Sequence, residues 1–131
     1  MSQLQDLIAK LESISSSERN AAAIALMDLG DPLAVEPLIR AIENPANRNA
    51  RGSLIYALSG FPCAGRFSQL FSWAIEGGYE TSCEVLSIIE DQQLKPSVED
   101  LEKCEQLLSR SSGIDAALLA ELEEVLNEKS G

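Results

Sequence analysis

Apolar residues recur along the chain at intervals of three and four, and short polar breaks separate the runs. Leu4, Leu7, Ile8 and Leu11 form the first stripe, Ala22, Ala25, Leu26 and Leu29 the second, and Val35, Leu38, Ile39 and Ile42 the third. Leu54, Ile55 and Leu58 follow, then Phe67, Leu70, Phe71, Ala74 and Ile75. The remaining stripes are Val85, Leu86 and Ile89; Leu101, Cys104, Leu107 and Leu108; and Leu118, Leu122, Val125 and Leu126. Such spacing gathers side chains on one face of a helix. The breaks carry the residues that end helices: Gly30-Asp31-Pro32, Asn44-Pro45, Gly60-Phe61-Pro62, Gly77-Gly78, Lys95-Pro96-Ser97 and Ser112-Gly113. Ser15-Ser16-Ser17-Glu18 reads as a capping box, with the Ser15 oxygen accepting from a first-turn amide and Glu18 reaching back. Strand-type alternation is absent. The pattern predicts an all-α chain of about eight helices of roughly 9–15 residues.

The stripes also repeat. A shift of 29 carries Arg19-Asn20-Ala21 onto Arg48-Asn49-Ala50, Ala25 onto Leu54, Leu26 onto Ile55 and Leu29 onto Leu58. A further shift of 31 carries Leu54, Ile55 and Leu58 onto Val85, Leu86 and Ile89. A period near 30 with two helices per unit describes an α-solenoid, because one hairpin cannot bury its own apolar face. About four hairpins account for residues 1–131 as a single repeat domain.

The run RNAAAIALMDLGDPLAVEPLIRAI, residues 19–42, resembles a HEAT-like repeat of the phycobilin-lyase type. Gly30-Asp31-Pro32 followed by Ala34-Val35-Glu36-Pro37-Leu38-Ile39 is its most specific stretch, and the similarity extends over residues 48–76. The resemblance implies a right-handed stack of helical hairpins, used mainly to bind other proteins, with the second helix of each unit lining the concave face. A fold of this kind does not itself assign an activity.

Charge and composition narrow the function. The chain carries 10 Lys+Arg against 21 Asp+Glu and no His, a net charge of −11. Five basic and seven acidic residues lie in residues 1–60, and five basic and fourteen acidic residues follow. Nucleic acid is not an expected partner, since phosphate neutralisation needs a basic surface. Absence of His removes the commonest general base and metal ligand, and with it the iron-binding His-Glu pairs that the resemblance would imply for the deoxyhypusine hydroxylase branch. The basic concave face of the alkylpurine DNA glycosylases is likewise opposed by the charge. Cys63, Cys83 and Cys104 fit no zinc or disulfide pattern and read as three small apolar residues of a reducing cytoplasm. No secretory signal or membrane span is read, so the expected location is cytoplasmic and no membrane partner is expected. Glu76, Glu80 and Glu84 form one acidic ridge if Gly77-Gly78 leaves the helix unbroken, and Glu121, Glu124 and Glu128 form another. Both are expected to be solvated faces. No catalytic set, cofactor site or metal site emerges, and the chain is not expected to be an enzyme.

A partner surface is the remaining expectation. On the helix of Leu54, Ile55 and Leu58, Tyr56 points about 150° from the apolar centre. The repeat shifts place Met27 and Ser87 at the same position, and align Asn20, Asn49 and Glu80. Glu84 lies one turn from Glu80 and from Ser87. Asn20, Met27, Asn49, Tyr56, Glu80, Glu84 and Ser87 are therefore expected in one strip, the alternative being that Met27 and Tyr56 pack between helices. Trp73 lies roughly 110° from its helix's apolar centre and is a second candidate anchor, with core packing as its alternative. The expected function is a non-enzymatic protein-binding module whose acidic surface meets a basic partner, most concretely an inhibitor or immunity protein for a toxin nuclease. An accessory or chaperone-type protein for an enzyme or chromophore, lyase-like, is the alternative.

Overall fold

The computed structural model describes residues 2–48, 50–110 and 116–130. Among the described residues the regular structure is entirely helical. The α-helices are α1 (Gln3–Lys10), α2 (Ser16–Leu29), α3 (Val35–Glu43), α4 (Gly52–Leu58), α5 (Phe67–Glu76), α6 (Gly78–Asp91), α7 (Val98–Arg110) and α8 (Ala116–Ser130), with 3-10 turns at Pro32–Ala34 and Pro45–Asn47. The chain divides into two compact units, residues 1–62 and 63–131.

In the first unit α2 packs against α1 and α4, and α3 packs against α4. Its core is Ala22, Ala23 and Leu26 of α2, Leu38, Ile39 and Ile42 of α3, and Leu54, Ile55, Ala57 and Leu58 of α4. Leu29, expected in the apolar stripe, is instead 42% exposed, because α2 ends on it at the left-handed Gly30 and no further turn covers it. The expected cap at Ser15 forms in half: its hydroxyl accepts from the Glu18 amide at 3.3 Å. The Ser15 amide donates to the Ser13 hydroxyl at 3.1 Å, so Glu18 has no amide to reach back to. A complete capping box starts α1 instead, between Ser2 and Gln5. Two buried polar side chains hold the connections. Arg19 Nη1 donates to the Ser13 carbonyl at 2.7 Å, and Asn47 Nδ2 donates to the Ala41 carbonyl at 2.8 Å.

In the second unit α5 packs against α6 and α7, and α7 against α8. The Phe67 and Phe71 rings stack at 6.2 Å, over a core that includes Leu70, Trp73, Ala74, Val85, Ile88 and Ile89. Leu86, placed in the α6 stripe from the sequence, is half-buried, and Ile88 takes the inward position. The helix turns its Val85–Ile88–Ile89 edge to α5, a centre slightly rotated from the one the repeat alignment implies. The α5–α6 turn is tight: a Cβ on Gly77 would stand 2.5 Å from the Thr81 side chain. The buried Ser82 hydroxyl ties the two helices by donating to the Ala74 carbonyl at 2.6 Å.

Helix α6 ends in a Schellman motif. Gln93 N donates to Glu90 O at 3.2 Å and Leu94 N to Ile89 O at 3.0 Å, with Leu94 and Ile89 both buried. The left-handed residue is Gln93, at φ 52°, where a glycine is usual. Gln92 fixes the same corner, accepting from the Cys63 amide at 2.8 Å through Oε1. Gln93→Gly removes the steric cost of a left-handed L-residue, about 1–2 kcal/mol, and loses part of it to unfolded-state entropy. A net stabilisation of about 0.5–1 kcal/mol is expected in urea denaturation. A destabilised variant would show that the Gln93 side chain holds the corner.

Candidate functional site

The outward face of α6 carries three of the predicted partner residues of the second unit, Glu80, Glu84 and Ser87. Thr81, Ser82, Val85, Ile88 and Ile89 are buried on one side of this helix. Tyr79, Glu80, Cys83, Ser87, Glu90 and Asp91 are exposed on the other, and Glu84 is half-buried at its edge. At 100° per residue Glu80, Glu84 and Ser87 fall within about 60° of one another. The structure therefore brings these three predicted residues onto one helical face. Glu76 does not join them. Gly77 ends α5 and α6 begins at Gly78, so the ridge expected through Glu76, Glu80 and Glu84 is divided between two helices.

Sequence reasoning missed Tyr79. It is 71% exposed in the first turn of α6, one turn from Cys83 and two from Ser87. Its hydrogen bond with Cys83, and the Cys83 and Glu121 charges nearby, push the phenol above its ordinary pKa. Tyr79 stays neutral, with its ring in solvent, next to Glu80 in the first turn of α6. The signal was available, since Tyr79 shares the helical face of Cys83 and Ser87. The glycine pair before it made the helix start uncertain.

Trp73 is corrected as a surface anchor. Only 2% of it is exposed, and it lies in the α5 core beside Leu70 and Ala74. An angle of about 110° from the apolar centre is not outward on a helix covered on two sides, as α5 is by α6 and α7.

In the first unit, Asn20 and Met27 lie seven residues apart on α2, both half-buried. Met27 packs against the turn that follows α4: a Cβ on Gly60 would meet Met27 Cγ at 2.7 Å, so glycine is what lets the thioether approach. This supports packing between helices as the role of Met27. Tyr56 is 48% exposed on α4 and keeps a surface face. Asn20 Oδ1 is buried and has no hydrogen-bond partner among the described residues. Asn49 lies outside the described residues.

The thiols separate by environment. Burial, with the nearby carboxylates of Asp100 and Glu105, pushes Cys104 up to about 12. Burial also raises Cys63, against the hydrogen bond of Gln92 and the charge of Arg66. Cys83 is exposed. A thiol-specific colorimetric reagent at neutral pH is therefore expected to label one thiol in the folded protein and three after denaturation. Two fast thiols in the native state would contradict the burial. The pH consequence follows by linkage. Cys104 is harder to ionise folded than unfolded, so its contribution to stability is whole below pH 9 and is lost between pH 9 and about 12. Replacing Cys104 with alanine should flatten the loss of stability over that range.

Among the described residues no group of three His, Cys, Asp or Glu side chains comes together to hold a metal, and no helix is long and apolar enough to cross a membrane. The chain matches no family model, no curated protein and no solved structure.

Proposed function

We propose that the chain is a protein-binding module, built as a right-handed stack of about four HEAT-like hairpins, that captures a basic protein on an acidic helical face. Its most concrete form is an inhibitor or immunity protein for a basic toxin such as a nuclease. The observation that carries this reading is the outward face of α6, which carries the exposed ring of Tyr79 in its first turn, with Glu80 next to it, Glu84 at the edge of the face, and Glu90 and Asp91 at the far end of the helix. Carboxylates on such a face steer a cationic partner, and an exposed aromatic supplies the buried anchor once the two meet. Packing of helices two apart in sequence, α2 on α4 and α5 on α7, supports the stacked-hairpin reading within each unit.

The test is capture of the partner by cross-linking in the source cell, followed by binding kinetics across a salt series from about 50 to about 500 mM. A basic partner whose association slows with salt is expected. For the immunity form, co-expression is expected to restore growth to cells producing the captured nuclease. A partner that meets the α6 face through acidic residues, or association at that face indifferent to salt, would overturn the reading.

A further inference from the structure

The second unit carries a groove of opposite character. Between α5 and α7 lies an open cavity of about 320 Å³, lined by Ser68 and Gln69 from α5 and by Lys103, Gln106, Leu107 and Arg110 from α7. No carboxylate is among these lining residues, although residues 61–131 hold fourteen acids against five bases. Two of those five bases line the groove, and a third, Arg66, reaches its edge by donating from Nη1 to Gln69 Oε1 at 3.3 Å. Lys103 and Arg110 are both exposed and seven residues apart, which sets them about 10.5 Å apart along the helix axis. Gln106 and the half-buried Leu107 fill the interval between them.

We propose that this groove is a docking site for an acidic amphipathic peptide segment of a partner protein, with two carboxylates one heptad apart and an apolar side chain between them. The match is one of spacing and charge. Residues at i and i+7 of a docked helix reach Lys103 and Arg110, while the side chain between them covers Leu107 and the methylene stems of the two cations. Glu99, Asp100, Glu102 and Glu105 are the carboxylates of α7 around Lys103, and none of them lines the groove. The Asp100 carboxylate accepts from the Ser97 amide at 2.9 Å, in a reciprocal cap with the Ser97 hydroxyl. It also accepts from the Ser68 side chain at the groove's edge and interacts with the charge of Lys103, so a docked carboxylate shares Lys103 with it while Arg110 stands further along the groove. At physiological ionic strength charge is screened over about 8 Å, so a segment in the groove responds to the groove's own cations more than to the net charge of the chain. This surface is distinct from the α6 face and calls for a partner element of the opposite sign.

The probe is a fluorescein-labelled helical peptide with glutamates seven residues apart and leucine between them, titrated into the full chain by fluorescence anisotropy. Binding is expected to weaken at least tenfold in the double variant K103E/R110E, and equally when the peptide glutamates are replaced by glutamine. The variant K10E/K95E changes net charge by the same amount at exposed positions outside the groove and is expected to bind within about twofold of the parent. The charge-preserving K103R/R110K is expected to retain binding. Circular dichroism melts check that all variants fold, and amide chemical-shift changes are expected on α5 and α7. Equal weakening by K10E/K95E, or shifts confined to other helices, would overturn the proposal, as would a parent chain that does not bind the peptide. Salt-sensitive self-association of the parent that K103E/R110E abolishes, without peptide binding, would reassign the groove to a second copy and overturn it too.

Discussion

Replacing Trp73 with alanine is expected to cost about 3–5 kcal/mol of folding stability, the range for truncating a large buried aromatic. Trp73 is among the largest fully enclosed side chains of the second unit and packs in the layer with Phe67, Leu70, Phe71 and Ala74. Alanine removes most of that volume, and the cavity left behind adds to the lost transfer energy, because close-packed neighbours relax only in part. A mesophilic domain has about 5–15 kcal/mol in total, so the variant should be largely unfolded well below the parent's melting temperature. Far-UV circular dichroism in urea is the suitable measurement, since Trp73 is the chain's one tryptophan and fluorescence would lose its reporter. Trp73→Phe keeps most of the ring volume and is expected to cost under about 2 kcal/mol. A surface anchor would behave in the opposite way: alanine there would leave the urea midpoint unchanged and weaken only partner binding. Full stability in Trp73→Ala would return Trp73 to the surface.

The helical content was legible because each apolar stripe is long enough to fix its period. Each of the eight stripes corresponds to one of the eight α-helices described. Leu38, Ile39 and Ile42, and Leu54, Ile55 and Leu58, are buried as read. What the period does not fix is which way a helix turns once it has neighbours on two sides. Trp73 shows this, as does the exchange of Leu86 for Ile88 on α6. Termini were harder still. The close of α6 uses Gln93 in a conformation normally given to glycine, so no composition signal marked it. At Ser15 the expected box lost its second bond to the Ser13 hydroxyl, a competitor two residues away. The buried guanidinium groups of Arg19 and Arg51 were unreadable for another reason. Arginine on a helix is ordinarily solvated, and only the packed loops beside α2 and α4 enclose these two.

The same limits shape the candidate surface. A repeat alignment reads equivalent positions: Glu80 and Ser87 came from it and Glu84 from helical spacing, and the three fall on one face because they share one helix. It did not indicate Tyr79, which has no aligned aromatic in the earlier repeats. Nor did it foresee that Met27 lies across Gly60. Exposure is a property of the packed chain, and among the described residues it singles out Tyr79 and Tyr56 as the exposed aromatics.

Charge reversal at Glu80 and Glu84 provides the strongest kinetic test of the acidic face. E80K/E84K turns two negative charges into two positive ones, on side chains whose helical face is otherwise held by Glu90 and Asp91. Both residues lie off the buried side of α6, so the urea midpoint should move by no more than about 0.5 kcal/mol. Against a basic partner the association rate is expected to fall at least tenfold at low ionic strength, because steering depends on the summed potential at the encounter distance. The difference from the parent should shrink as salt rises and the screening length falls from about 10 Å at 0.1 M to about 3 Å at 1 M. Tyr79→Ala should act on the other half of the reaction. A neutral aromatic contributes after encounter, when its ring is enclosed, so the association rate should hold while dissociation speeds up about tenfold or more. Tyr56→Ala tests whether the aromatic of the first unit belongs to the same contact: an off-rate effect comparable with that of Tyr79→Ala would join them. On the α6 face the charge and aromatic variants are expected to separate into on-rate and off-rate classes. If E80K/E84K instead changes only dissociation, or leaves both rates untouched, the α6 face is not where a basic partner is steered.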